Sequence, residues 1–449
     1  MSRWLTLILQ MPELRGRILF TLGMLAVVRL GIHIPSPGVD RQALAQFVEA
    51  NRQSMFGMYD MLSGGALEQY SVFVLGIMPY ITASIMVQVL TVAVPSLERL
   101  SKEGQQGRNQ ITQYTRYATI VVAVLQSLSI AVSLENSSAG GVIGDLVLEP
   151  GWSFRILTVV TMTAGSCFVM WIGEQISERG IGNGASLIIT AGIVSRIPST
   201  AVDLVRQVSS GTVQLLEAAL LVSAVVAVIA AICWIERGQR RIPIQYAKRV
   251  VGRPTNARQG THLPLKVNTT GVMPPIFASS ILMAPATLGA MTDNTIVSTI
   301  VSTLAPGAWL HNYVYVGLIV FFSYFYTALM FNPVDVADNL RKHGGYIPGI
   351  RPGKQTAEYI ERILTRLTGA GAVYLSAVCV LPSVLSSVGG STFYFGGTGV
   401  LIVVGVAMDT VAQVEAQLLA KEYDGIQGPR ARVGGRRRHL ITGAAQEVL

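Results

Sequence analysis

Apolar residues in this chain gather in long blocks separated by polar breaks, rather than recurring every three or four positions as in a water-soluble amphipathic helix. A helix needs about 20 mostly apolar residues to cross the hydrocarbon core of a bilayer. Ten blocks approach that length, at roughly 17–35, 73–94, 113–134, 155–174, 184–202, 215–235, 271–290, 313–332, 371–389 and 397–418. Each is rich in Val, Ile, Leu and Ala, and none shows the short apolar core and small-residue cleavage site of a removable signal peptide. Several contain Gly or Pro, which a helix in lipid tolerates where neighbours or water satisfy the freed backbone groups. The pattern predicts an all-α, multi-pass membrane protein of ten transmembrane helices.

One stretch fits neither a span nor a simple loop. Met55 to Tyr70 is moderately apolar, contains Gly and is too short to cross. It reads as a re-entrant half-helix, with an amphipathic helix outside the membrane as the alternative.

Charge sets the orientation. Of the 34 Lys and Arg residues, all except Arg29, Arg41, Arg52, Arg155, Arg196 and Arg206 fall in alternate connections: 1–17, 95–117, 175–183, 236–270, 333–370 and 419–449. By the positive-inside rule these segments, and so both termini, face the cytoplasm. Two of them are too long and basic to be plain turns. The first, 236–270, carries Arg240, Arg241, Lys248, Arg249, Arg253 and Arg258. The second, 333–370, carries Arg341, Lys342, Arg351 and Lys354 around the turn-rich tip Gly344 to Gly353, followed by helical spacing from Ala357 to Leu367. Topology alone explains many such charges; loop length favours a docking platform for an acidic or anionic partner. The tail around Arg436-Arg437-Arg438 could touch anionic lipid or ribosomal RNA, or stay solvated.

Composition narrows the class. Charged residues make up 13% of the 449 and hydrophobic ones 51%, against about 25% charge in a soluble domain. A soluble globule and a disordered chain are both excluded. Cys167, Cys233 and Cys379 lie far apart in apolar runs, with no metal-ligand or disulfide spacing. No P-loop is present, so the sequence offers no nucleotide-hydrolysing motif of its own. The five His and three Cys form no cluster suited to metal or nucleophilic chemistry, and no cofactor is indicated.

The second and seventh blocks begin alike. Gly76-Ile77-Met78-Pro79-Tyr80-Ile81-Thr82-Ala83-Ser84 and Gly271-Val272-Met273-Pro274-Pro275-Ile276-Phe277-Ala278-Ser279 share Gly, Met, Pro, Ile, Ala and Ser in register. They hold corresponding places in two sets of five blocks. An odd number of spans per half makes the halves enter the membrane in opposite senses, an inverted repeat with its functional centre between them. The proposed division is 1–204 and 205–425, followed by a basic tail, 426–449. Pro79 and Pro274 suit the first turn of a helix. Ile81 and Ile85, four residues apart, share a face, and Ile276 takes the place of Ile81 in the second half. Such side chains could converge on a dry constriction that seals a pore, or serve in ordinary helix packing.

Several stretches then carry a resemblance: Leu62 to Leu67, Leu75 to Ile81, Gln113 to Tyr117, Gly173 to Gly184, Leu263 to Asn268 and Pro348 to Gly353. With these the chain resembles the SecY family, the central channel subunits of bacterial protein translocases, over nearly its whole length. The resemblance implies a clamshell of two pseudo-symmetric halves around an hourglass pore. It implies that Ile81, Ile85, Ile189, Ile276 and Ile402 form the pore ring. It makes a stretch at about 58–71, including Met61, Leu62, Ser63, Gly64, Gly65, Ala66 and Leu67, the plug. It places the lateral gate between the second and third spans and the seventh and eighth, with Gln88, Gln126 and Asn268 as its polar cluster and Ser279 and Ser280 nearby. Buried amides bond across helices at modest strength, about 1 kcal/mol each, so such a gate can open; static interhelical bonding is the alternative role. Arg240, Arg241, Lys248, Arg249, Arg253, Arg351 and Lys354 become docking residues for the SecA motor and the ribosome. SecE and SecG are the implied membrane partners, and signal sequences, preproteins and membrane lipids the implied ligands, in the bacterial cytoplasmic (inner) membrane.

Two functions follow from different classes. One is a protein-conducting channel. The other is an ion-coupled solute carrier, which can share an inverted repeat but typically needs carboxylates at the membrane midplane. Asp409 and Glu174 are the candidates for that role, and the scarcity of other intramembrane charge argues against it. A membrane enzyme lacks support.

Overall fold

A computed structural model describes residues 11–50, 57, 60, 63–139, 146–211, 213–246, 261–289, 303–304, 309–389 and 398–418. Met61, Leu62, Lys248, Arg249, Arg253 and the tail 426–449 lie outside the described residues. Every one of the ten apolar blocks falls on a helix. In order these are α1 (Pro12–Ile32), α2 (Arg41–Ala50), α3 (Met78–Ala93), α4 (Pro95–Lys102), α5 (Gln105–Ala139), α6 (Trp152–Arg179), α7 (Gly184–Val194), α8 (Ile197–Ser209) and α9 (Leu215–Glu236). After two strands come α10 (Met273–Gly289), α11 (Trp309–Met330), α12 (Pro333–Lys342), α13 (Lys354–Gly389) and α14 (Thr398–Leu418). Among the described residues, seven helical segments are long and apolar enough to cross a membrane, α7 with α8 and α11 with α12 each counting as one.

Local chemistry sets the breaks. Val94 precedes Pro95, whose ring disfavours the helical region for its neighbour. Val94 is accordingly extended, with φ −108° and ψ 114°, and the axis turns by 99° between α3 and α4. Asn183 caps α7, its side-chain oxygen accepting from the amides of Ala185 and Ser186. Pro198 stands in the first turn of α8, where its missing N–H leaves no bond unmade. The two repeat segments match in backbone as well as sequence. Gly76 and Gly271 both have positive φ (53° and 61°), and in each half the following Met opens the helix with Pro second.

Helix α3 packs on α5, α5 on α6, α10 on α11 and α11 on α13. The two groups meet where α10 lies against α3 and α5. A principal apolar cluster fills this junction, and a second, built on α2, α5 and α6, lies beneath the segment before α3. That segment, expected to be a half-helix, is helical at Asp60 and Ser63 and then runs in turns through residue 77. The turns start at Gly64 and Gly65, both at positive φ, which no ordinary helix accommodates.

The two long basic connections form a sheet that the apolar pattern did not announce. Strands β1 (Gln239–Tyr246) and β2 (Thr261–Lys266) pair antiparallel, with Ile242 opposite Leu263. Strand β3 (Gly345–Tyr346), from the second connection, joins the other edge of β1 with Gln245 opposite Tyr346. The expected helical spacing after the tip is real, but it is continuous with the next span as the 36-residue α13. At 1.5 Å per residue α13 is about 54 Å long, well beyond a bilayer core of ~30 Å.

Candidate functional site

The five isoleucines come from four helices: Ile81 and Ile85 from α3, Ile189 from α7, Ile276 from the first turn of α10 and Ile402 from α14. All five are buried and share one apolar cluster, which also holds Ile77, Ile188, Ile193, Val272 and Leu401. Residues far apart in sequence therefore share one apolar cluster, and three of the five isoleucines border a cavity. On the basic side is a cavity of about 360 Å³, with Ile81, Ile189 and Ile276 in its lining and Arg116, Glu174, Glu178 and Asn183 on its walls. On the opposite side a space of about 20 Å³ lies between Ser63, Phe73, Ile77, Met78 and Gly192, again touching Ile189. A space of that size holds about one water. Polar side chains of α5 and α6 line one part of the larger cavity, and isoleucines line another.

The cavity wall is held by a two-pronged ion pair. Arg116 on α5 donates from Nε and Nη2 to the two carboxylate oxygens of Glu174 on α6, at 2.9 and 2.8 Å. This planar geometry fixes both partners. Asp409, on α14, pairs with Lys266 of β2 at 3.5 Å, with both side chains about half exposed. The two carboxylates that a carrier would need free are therefore both engaged with cations.

The expected gate residues are distributed along the junction of α3, α5 and α10. Gln88 donates to Ser84 on its own helix at 3.2 Å. The side-chain oxygens of Gln88 and Gln126 are buried without a partner. Ser279 and Ser280 donate back to the Ile276 carbonyl within α10. Asn268 stands apart from the two glutamines, donating to Glu236 at the end of α9 (2.7 Å) and to the Gly271 carbonyl (3.1 Å). The polar groups on this junction bond mainly within their own helices, so apolar contact carries the seam. On its α11 side Phe277 meets Phe322 and Tyr326 edge to face, at 5.8 and 6.0 Å.

The described part of the plug stretch is tied down at several points. Ala66 and Leu67 are buried, and Arg29 of α1 donates to the Gly64 carbonyl at 3.2 Å. Asp60 accepts from the amides of Leu67 and Glu68 through Oδ1. Through Oδ2 it pairs with Arg196, at the break between α7 and α8. Sequence reasoning placed Arg196 only at a span end. The available signal was an acid inside an apolar run and a lone base at the non-basic end of a span.

On the basic face, Arg240, Arg241, Arg351 and Lys354 are all exposed. Along β1 Ile242 and Ile244 point inward while Arg241, Pro243 and Gln245 point out. Ile242, Leu265, Ile347, Ile360 and Ile363 form a separate small core that joins both basic connections to α13. Tyr346 donates to Gln245 across the β1–β3 pairing at 2.9 Å.

These features define a class: a multi-pass helical membrane protein with a polar-walled cavity set against a core of buried isoleucines. The SecY family model matches residues 71–411, and the chain belongs to the SecY family. It is 48% identical over 416 residues to the protein translocase subunit SecY of Escherichia coli K12, covering 92% of this chain and 93% of that protein. A solved structure of a protein-conducting channel shares the fold, with a TM-score of 0.64 at 17% identity over 92% of this chain and 94% of that one. Sec61 in the canine ribosome–channel complex shares it with a TM-score of 0.62 at 17% identity, over the same fractions.

Proposed function

We propose that this chain is the protein-conducting subunit of a bacterial translocase. It passes unfolded preproteins across the cytoplasmic membrane and releases membrane helices sideways into lipid, with both termini in the cytoplasm. One observation carries the reading: buried isoleucines from α3, α7 and α10 line a cavity of about 360 Å³, Ile189 also borders the space beside Ser63 of the plug stretch, and Ile402 of α14 joins the same apolar cluster. A collar of branched apolar side chains excludes water and ions from a dry constriction. Having no directional bonds, it can also spread around a travelling chain of any sequence. The carrier reading finds less support, because Glu174 and Asp409 are each paired with a cation.

In this reading α3 and α5 against α10 and α11 form the exit into lipid, and residues 58–71 plug the far side. The basic platform receives the motor ATPase and the ribosome, with Arg351 as the principal contact. SecE and SecG are the companion membrane subunits. A SecY named as a translocase subunit in Escherichia coli and a canine Sec61 in complex with a ribosome support these assignments.

The test is a set of polar substitutions: Ile81→Asn, Ile276→Asn and Ile402→Asn in the full chain. Each is expected to raise ion conductance of the resting channel in planar bilayers and to let preproteins with weakened signal sequences be exported. Parental conductance and parental signal selectivity in all three would overturn the reading.

A further inference from the structure

The stretch before α3 is joined to the channel wall by charge, which a purely steric plug does not need. Arg196 reaches two acids with one nitrogen: Nη2 bonds Oδ2 of Asp60 and Oε2 of Glu68, the latter at 3.2 Å. Asp60 is 1% exposed and Arg196 29%. Asp60 thus sits where its charge depends on a partner, whereas Arg196 stays within reach of water. Arg29 adds a second cation, donating to the Gly64 carbonyl four residues beyond Asp60. Two elements separated by more than a hundred residues are bonded here, and nothing in the channel's transport of a chain uses these charges.

We propose that Arg196 is a positioning residue that latches the plug through Asp60 and Glu68, and that the latch is released when an entering polypeptide displaces the plug. This rests on the channel reading above. In the closed state Asp60 is almost wholly buried and its charge depends on Arg196, so thermal separation of the two would strand a carboxylate. A polypeptide that enters the collar pushes the plug away from α7 and draws Asp60 out to water, where its charge is solvated without the partner. The latch therefore resists thermal opening and yields to an arriving substrate. Asp60 has a second task that its Oδ1 performs, capping the amides of Leu67 and Glu68. An asparagine keeps that acceptor and removes the charge, so the two tasks can be separated.

The test uses the full chain with its membrane partners, carrying Ser63→Cys as a reporter. Reaction of that thiol with a membrane-impermeant maleimide added from the plug side reads plug displacement directly. Arg196→Gln and Asp60→Asn are expected to speed labelling about tenfold, as loss of a charge-assisted bond would. Both are also expected to raise resting ion conductance. Arg196→Lys keeps a cation that can reach both acids, and is expected to restore most of the protection, which a role in packing the guanidinium would not predict. Ile276→Asn serves as the reference for conductance. If it leaks while Arg196→Gln and Asp60→Asn neither leak nor label faster, the latch is wrong and the channel reading stands. If Ile276→Asn does not leak either, the channel reading fails and takes the latch with it. Equal labelling of Arg196→Lys and Arg196→Gln would also overturn the latch.

Discussion

Gly64 lies where the plug backbone crosses α7. Its φ is +73°, and a Cβ there would stand 2.7 Å from the Gly192 Cα and 2.9 Å from Arg29 Nη1. A left-handed conformation costs an ordinary residue roughly 1–2 kcal/mol, and the backbone of Gly192 cannot yield as a side chain could. Gly64→Ala is therefore expected to unseat the plug without altering helix content. The measurement is maleimide labelling at Ser63→Cys alongside circular dichroism; labelling at the parental rate would mean that the close approach has no part in seating the plug. At this scale the sequence spoke unevenly. Ile81 and Ile276 could be paired because the repeat aligns them, and both lie in the central cluster. For Asn268 the sequence offered only the gate role implied by resemblance, since its partner Glu236 is 32 positions away at the end of α9. Arg196 and Asp60 are 136 positions apart, and no local pattern connects such residues.

Among the elements, the apolar helices were legible because a bilayer demands long apolar runs, and such runs have few alternative structures. The sheet was not. Its strands contain Pro243 and Pro264, which argue against a strand interior because proline cannot donate to the ladder. Pro243 is tolerated because β3 covers β1 only at Gln245 and Tyr246, leaving the other side of Pro243 free. The result is that two basic connections, which looked like independent loops, share one core. This separates two kinds of docking defect. Arg351→Glu changes an exposed charge and is expected to weaken binding of the motor or the ribosome while the sheet stays intact. Ile242→Ala removes a side chain that is 2% exposed, with a local cost of about 2–5 kcal/mol. It is expected to weaken the same binding by loosening the sheet. Hydrogen exchange at β1 and β2 distinguishes them, rising for Ile242→Ala alone. Faster exchange in Arg351→Glu, or unimpaired binding in both, would count against a preformed platform.

Across the whole molecule, if the seam between α10 and the pair α3 and α5 is the proposed lateral exit, it has to satisfy two demands. It must hold against lipid when no substrate is present, and it must part when a signal sequence arrives. Hydrogen bonds spanning the seam would serve the first demand and hinder the second. Gln88, Ser279 and Ser280 bond within their own helices, so parting the helices breaks few polar contacts. A signal sequence then replaces one apolar surface with another at little net cost, because lipid, helix and signal are about equally apolar. If this is how the molecule opens, a covalent bridge across the seam should stop it. With Cys167, Cys233 and Cys379 replaced by Ser, paired cysteines at Ser84 and either Ser279 or Ser280 are expected to crosslink in the resting channel through a short bifunctional thiol reagent. The bridge should abolish both export and lateral insertion while leaving binding at the platform unchanged. Insertion that proceeded through a fully crosslinked channel would mean that helices leave by another route, and that the junction of α3, α5 and α10 is a fixed wall.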